Sequence, residues 1–427
     1  MTEKGHSTQT PAAVTSPGTA PAFKQYLGTL YEKEFRRLFA SLVRSLRDFD
    51  IAEDLLHEAF IAASKQWPVE GIPKNPQAWL IQVAKHKGLD RLRREKRFDP
   101  LDDEHLESEA AQYEPDYSGD DIEDDRLRLV FTCCHPALDR QVQVALTLRE
   151  VCGLSTEAIA SAFLVQTPAM AQRLVRGKAK IKTAGIPYVV PEGPELQERL
   201  DAVLAVVYLV YNEGYRASSG ESLGDVELAE EAIRLGRLLV QLLPETEALG
   251  LLALMLLNES RRPARTTAAG DLVLLEDQDR QLWRRDYIEE GLHHLERAFA
   301  NGGVGSYTLQ AAISAQHALA ADVSDTNWSR IVTLYDALFQ LTRSPVVALN
   351  RAVAVAMRDG PEAGLALLAA LLDEPALAAY HPIYSAHAEL SRRAGRREAA
   401  RASYEKALQL VQQAPERRFL EQRLASL

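Results

Sequence analysis

Three cysteines in 427 residues, at positions 133, 134 and 152, are too few and too oddly numbered for a disulfide framework, which suits a reducing compartment. Cys133, Cys134 and His135 adjoin each other, so they cannot share a helix face, and no second ligand pair follows at zinc-site spacing. Buried thiols are expected there, and no metal. The longest apolar runs, near residues 202–210 and 249–257, are too short to cross a bilayer. Residues 1–20 carry Thr, Pro, Ala, Ser and Gly without an apolar centre, so they read as a disordered tail and not a secretory signal. A soluble, cytoplasmic protein is expected. Aromatic residues make up only 7%, while Ala, Leu, Arg and Glu dominate, which favours helix. A net charge of -11 excludes a surface coated in positive charge; any binding of phosphate must use local cationic faces. No nucleophile–base constellation, phosphate loop or HExxH occurs, so neither catalysis nor a cofactor is expected.

What is present is helical patterning throughout, which makes the fold class all-α. From Phe23 to Arg97 a helical domain is predicted. Its first helix runs through Tyr31, Phe35, Leu38, Phe39, Leu42 and Leu46. The next, about residues 50–67, has a buried stripe of Ala52, Leu55, Leu56, Ala59, Phe60 and Ala63. Glu53, Asp54, His57 and Glu58 cluster opposite, either as a solvated acidic face or as a docking surface for a basic partner. A proline-bounded loop, residues 68–76, leads to a third helix with Trp79, Leu80, Val83, Ala84 and Leu92 inward. Lys85, His86, Lys87, Arg91, Arg93, Arg94, Lys96 and Arg97 form the densest positive patch of the chain, with Asp90 pairing to Lys87 or Arg94. Such a density fits the binding of backbone phosphate. Residues 99–125 then hold thirteen acids and no Lys or Arg, and read as an extended or disordered linker.

Residues 126–135 and 138–151 are expected to form two helices, closed by Gly153 as a helix C-terminal glycine. Two short helices joined by a turn follow over residues 155–182. Ser155 caps the first, whose stripe is Ile159, Ala160, Phe163 and Leu164. Thr167 caps the second, with Pro168 at its first position. Met170, Leu174 and Ile181 face inward, and Gln172, Arg173, Arg176, Lys178, Lys180 and Lys182 outward with no acid among them. A helix-turn-helix presents such a second helix to a DNA major groove; a solvated basic helix has the same pattern.

The stretches IAEDLLHEAF and AWLIQVAKHKGLDRLRR together resemble region 2 of bacterial sigma-70 family initiation factors, and VALTLREVCGLSTEAIASAFLVQTPAMAQRLVRGKAKI resembles their region 4. The short intervening segment is similar to that of the small extracytoplasmic-function group. CCHPAL and the long C-terminal extension resemble a subgroup with a fused TPR-like domain. The resemblance implies a protein that binds core RNA polymerase, through the β′ clamp helices and the β flap, and directs it to promoter DNA. Glu53, Asp54 and Glu58 match the polymerase-facing helix. Lys74, Asn75, Lys85, Arg91, Arg93 and Arg94 match the part that opens and reads the −10 element. Gln172, Arg173, Arg176 and Lys178 occupy the −35 recognition positions. Ala171 stands where a polar residue is frequent, so the −35 sequence stays open. The acidic linker would lie in the polymerase's RNA path, imitating nucleic acid.

The implied organisation is a tail over 1–20, region 2 over 21–98, the linker over 99–125, region 4 over 126–186, and a helical extension over 187–427. Repeat-like spacing is clearest over 345–415: Ala388, Gly395, Ala400, Tyr404 and Ala407 fit a TPR helix pair, and Ala352, Gly360 and Leu367 a weaker copy. Such solenoids mostly bind protein, so a partner or an intramolecular contact is expected of this half. Three polar clusters there have plain structural accounts: Tyr211 to Tyr215 as a helix end, Glu276 to Arg280 as an acidic first turn, and Glu290 with His294 as a surface pair. Two other functions remain open on the residues: a helix-turn-helix regulator that acts without polymerase, and a TPR-type adaptor.

Overall fold

The computed structural model describes residues 20–96, 119–163, 165–215, 224–267 and 269–427; for 20–21, 89–96, 119–124 and 161–162 it describes the helical backbone alone. The tail and most of the acidic segment lie outside the described residues. Among the described residues there are eighteen α-helices and no strand, so the chain is all-α. It divides into two compact units. The first comprises the described residues up to Ile159 together with Gln166–Ala202, and the second Ala160–Val165 together with Val203–Leu427. Among the described residues no helix is long and apolar enough to cross a membrane.

The first unit begins with α1 (Ala20–Leu46), α2 (Phe49–Glu70) and α3 (Pro76–Lys96), each packed on the other two. Phe35, Leu38, Phe39 and Leu42 of α1 meet the whole expected α2 stripe, every member of which is buried. Tyr31 stays 38% exposed, with its ring edge-on to Phe60. The α2 helix begins two residues before Ile51 because the Asp48 carboxylate accepts from the Asp50 and Ile51 amides, both at 3.1 Å. It also runs on through Pro68, which was expected to open a loop. A proline near the end of a helix loses only one bond, and Trp67, 2% exposed, anchors that turn against Trp79, ring centroids 5.2 Å apart.

A second departure concerns the acidic segment. Its last residues do not stay extended, because α4 (Gly119–Cys133) begins seven residues earlier than the sequence suggests. Asp125 is 1% exposed and pairs with Arg44 at 3.1 Å and Arg128 at 2.6 Å, so its charge serves a buried contact. Helix α5 (Arg140–Leu146) is capped by Asp139 and continues as a π-helical turn over Thr147–Cys152. Gly153 closes that turn at φ +84°, the left-handed conformation expected of it. Cys133 and Cys134 are buried, and burial raises the Cys134 thiol to about 11; Cys152 is half-buried.

Two short helices follow, α6 (Thr156–Ala162) and α7 (Thr167–Thr183). Ile159 and Ala160 are buried as expected, but α6 ends before Phe163, which sits half-buried in the turn, and Leu164 lies outside the described residues. Gln166, not Thr167, occupies the N-cap of α7. Helix α8 (Gly193–Tyr215) carries residues of both units; Arg199, 5% exposed, donates to the Phe131 carbonyl at 2.9 Å within the first.

In the second unit, α9 (Val226–Leu242), α10 (Thr246–Glu259), α11 (Arg285–Ala300), α12 (Ser306–Leu319) and α13 (Trp328–Thr342) pack in succession. So do α14 (Pro345–Asp359), α15 (Pro361–Leu371), α16 (His381–Arg393), α17 (Arg397–Leu410) and α18 (Ala414–Ala425). Ala388, Ala400, Tyr404 and Ala407 are all buried at the α16–α17 contact. In the weaker copy Leu368 is buried, and Leu367 is 37% exposed. Two of the polar clusters, the acidic turn at Glu276 and the pair at Glu290, also bridge helices or turns. Glu276 receives Arg393 at 2.7 Å, and Glu290 receives Arg237 in a two-bond fork at 2.7 Å each.

Candidate nucleic-acid interface

The acidic face of α2 is the first element of the site. Its residues project from one side because positions 50, 53, 54, 57 and 58 recur at helical spacing opposite the buried stripe. Glu53 receives Arg149 at 3.2 Å and Arg36 at 3.6 Å. Glu58 receives Lys87 of α3 at 2.9 Å; the Asp90 side chain, expected to pair with Lys87 or Arg94, lies outside the described residues. Asp54 is exposed. Asp50, one turn earlier, holds Lys178 of α7 at 2.8 Å, and Asp48 holds Lys182 at 3.2 Å. Cations of α7 therefore sit on the acids at the start of α2.

Lys74 and Asn75, in the turn before α3, are exposed. The Asn75 side chain accepts from the Ala78 amide at 3.0 Å and so caps α3, a positional role additional to any contact with DNA. Lys85 is half-buried; burial and the neighbouring Arg44 hold its ammonium below the ordinary 10.5, against the pull of Asp125. The side chains of Arg91, Arg93 and Arg94 lie outside the described residues.

On α7, Gln172, Arg176 and Lys180 form one exposed row at four-residue spacing, with Arg173 half-buried beside it. Lys178 departs from the expectation of an outward cation: its side chain is 16% exposed. Spacing explains it, since Lys178 follows Leu174 by four and adjoins Gly177, both on the buried side. A Cβ at Gly177 would stand 2.7 Å from a Val142 methyl group, so α5 crosses α7 at that point. Lys178 consequently reaches inward to Glu150, at 3.1 Å, as well as to Asp50.

Glu150 was not singled out from the sequence. It is fully buried on the π-helical turn, and a signal existed, because it follows Leu146 by four on the apolar stripe of α5. Burial pushes its carboxyl above the ordinary 4.5, and Lys178 and Arg36 pull it back. The Lys178 ammonium suffers from burial too, but Glu150 and Asp50 more than offset this and leave it above 10.5.

The Arg149–Glu53 pair, about three-quarters or more shielded on both sides, should show a coupling of about 1 kcal/mol in a double-mutant cycle on unfolding. The Lys182–Asp48 pair, whose lysine is 72% exposed, should show almost none. Equal couplings at the two sites would contradict the burial argument.

Comparison with known proteins fits this arrangement. Residues 30–98 match sigma-70 region 2, residues 128–181 match sigma-70 region 4, and residues 199–299 match a family of unknown function, DUF6596. An uncharacterized protein of Rhizobium meliloti strain 1021 is 44% identical over 392 residues, covering 91% of this chain and 92% of its own. A probable RNA polymerase sigma factor of Haemophilus influenzae is 28% identical over 124 residues, covering 26% of this chain and 64% of its own. No solved structure matches. Region 2 and region 4 are both present and in that order, which supports a sigma-70 family sigma factor with a role in transcription initiation.

Proposed function

We propose that the protein docks on core RNA polymerase through the acidic face of α2 and reads promoters at two places. The turn at Lys74 and Asn75 with the cations of α3 serves the −10 element, where trapping an unstacked base offsets the cost of unpairing. The exposed row of α7, Gln172 and Arg176 with Arg173 beside it, serves the −35 element. Lys178 takes part there only once it leaves Glu150 and Asp50. The observation that carries this reading is the separation of charge between two consecutive regions: acids on one face of α2, and on α7 an exposed row of Gln172, Arg176 and Lys180 that no acid interrupts.

The packing described above is a closed form in this reading. Arg149 covers Glu53 and Lys178 pairs with Asp50, so docking through α2 requires region 4 to swing away. These contacts are few and partly hydrated, so their loss is compatible with exchange for polymerase contacts. The second unit modulates the first, with α16 and α17 as a TPR-like pair, in the manner of the extended subgroup that the sequence resembles. The chain works in the cytoplasm, where core polymerase and DNA are.

A run-off transcription assay with core polymerase tests the proposal. The full chain should give a promoter-dependent product, and changing Arg173 and Arg176 together to alanine should lower it about tenfold or more. Product that is independent of both arginines would remove α7 from −35 reading. Avid binding of promoter duplex without core enzyme would favour a polymerase-independent regulator. Ending the chain after residue 202 spares Arg199 and its bond to Phe131, which a cut near 190 would take away; an unchanged initiation rate in that variant would show that the second unit is no control element.

A further inference from the structure

Helix α8 ends in the sequence Tyr211, Asn212, Glu213, Gly214, Tyr215, and α10 is followed at once by Arg261, Arg262 and Arg265. The fold of the second unit brings all three guanidinium groups to that helix end. Arg262 donates to the Gly214 carbonyl at 3.0 Å and is forked onto Glu259, which is 2% exposed. Arg265 donates to the Tyr215 carbonyl at 2.7 Å and lies over the Tyr215 ring, 3.8 Å from its centroid. Arg261 donates to the Tyr215 hydroxyl at 3.1 Å and to Asn258 Oδ1 at 3.4 Å.

Among the described residues, Glu259 is the one carboxylate bonded to the three arginines, and it is taken by Arg262. The two carbonyls belong to a helix C-terminus, whose dipole offsets about half a charge. That accounts for the capping bonds and, among the described residues, leaves more than one positive charge without a bonded carboxylate, on Arg261 and Arg265. Both arginines are half-buried and neither is fully enclosed. Tyr211 stacks on Tyr215 with centroids 5.4 Å apart, is fully buried, and its hydroxyl has no hydrogen-bond partner. A buried hydroxyl left unpaired beside surplus cations is a costly arrangement unless something acidic completes it. Burial alone would raise the Tyr215 phenol, but Arg261 and Arg265 more than offset that and hold it below its ordinary 10.

We propose that Arg261 and Arg265, with the Tyr215 hydroxyl, bind an oxyanion carried by a small ligand, a phosphate ester or a carboxylic acid. Two forked donors and a hydroxyl are the groups that recognise such an anion, and charge-assisted bonds to it are stronger than neutral ones. The site lies within residues 199–299, in the second unit, so it gives that unit a small-molecule input independent of DNA or polymerase binding.

Calorimetric titration of the full chain tests this directly, with inorganic phosphate in one arm and succinate in the other, at matched ionic strength in chloride. One site per chain is expected, and the arm with the tighter binding identifies the anion's source. Arg261→Gln and Tyr215→Phe should each weaken binding about tenfold. Arg261→Lys keeps the charge without the fork; it should fold, by circular dichroism, and still bind more weakly than the parent. No heat from either anion, or undiminished binding in folded Arg261→Lys and Tyr215→Phe, would overturn the proposal, and neither result bears on run-off transcription.

Discussion

Replacing Lys178 with methionine is expected to destabilise the first unit by about 3 kcal/mol, the lower end of the cost of leaving a buried charge unpaired. Glu150 is fully buried, and Lys178 lies 3.1 Å from it. Methionine fills the space of the lysine stem, so the loss is of charge and not of packing. Arg36 remains within electrostatic reach of Glu150, which is why the lower end applies. In a unit of this size the shift in melting temperature should be on the order of 10 °C. The pH dependence has a definite sign. The Glu150 carboxyl is already raised by burial, and without Lys178 it rises further. A raised acid contributes its full share of stability below its unfolded value of 4.5 and loses it as the pH climbs through the folded value. The deficit of the variant should therefore be largest near neutrality and shrink toward pH 4.5. Thermal unfolding of the parent and Lys178→Met across that range checks both statements; a deficit that grows on acidification would refute the assignment. Lys178→Met also removes the contact to Asp50, so the variant should favour release of region 4 from α2.

Gly250→Val is expected to cost the second unit about 3 kcal/mol or more by overpacking. Gly250 lies in the middle of α10, where the chain meets the start of α12. A Cβ added there would stand 2.7 Å from the Thr308 amide nitrogen and 2.9 Å from its Cα, both backbone atoms that cannot turn aside. Those atoms are held in place. The Glu247 carboxylate, one turn earlier on α10, accepts from the Tyr307 amide at 2.8 Å, the Thr308 amide at 3.0 Å and the Thr308 hydroxyl at 2.6 Å. One helix thus caps the N-terminus of another with a full negative charge, which its dipole favours. Valine would push the two helices apart and break that cap along with the contact. Chemical denaturation of the full chain, followed by near-ultraviolet circular dichroism, should show a weakened transition; a variant as stable as the parent would mean that α12 can slide over α10 without loss.

Much of this protein is legible along the chain because its helices are long and periodic. The α2 stripe is an example: six apolar residues at helical spacing must face one way, and all six are buried. Gly153 is another, since only glycine enters the left-handed turn without strain. The small residues of the α16–α17 pair were equally readable, because two helices approach closely only where side chains are small. Legibility fails where a residue's role depends on something distant in sequence. Nothing near Pro68 indicates that Trp67 and Trp79 will hold the helix together beyond it. Nothing near residue 119 indicates that Arg44 will receive Asp125 and draw the end of an acidic run into a helix.

By its own sequence the chain determined that it would be all-α, that its positive charge would gather on two short stretches and its negative charge on one face of α2 and over residues 99–125, and that two stretches resembling sigma-70 regions would stand in order. Those properties depend on spacing within one helix, which local chain geometry enforces. Only the tertiary structure decided which charges remain open. It turned Lys178 inward onto Glu150, set Arg149 on Glu53, and gathered Arg261 and Arg265 around Tyr215. Pairing of charges is a matter of distance through space, and residues more than a hundred positions apart are brought to 3 Å only by the packing of the helices that carry them.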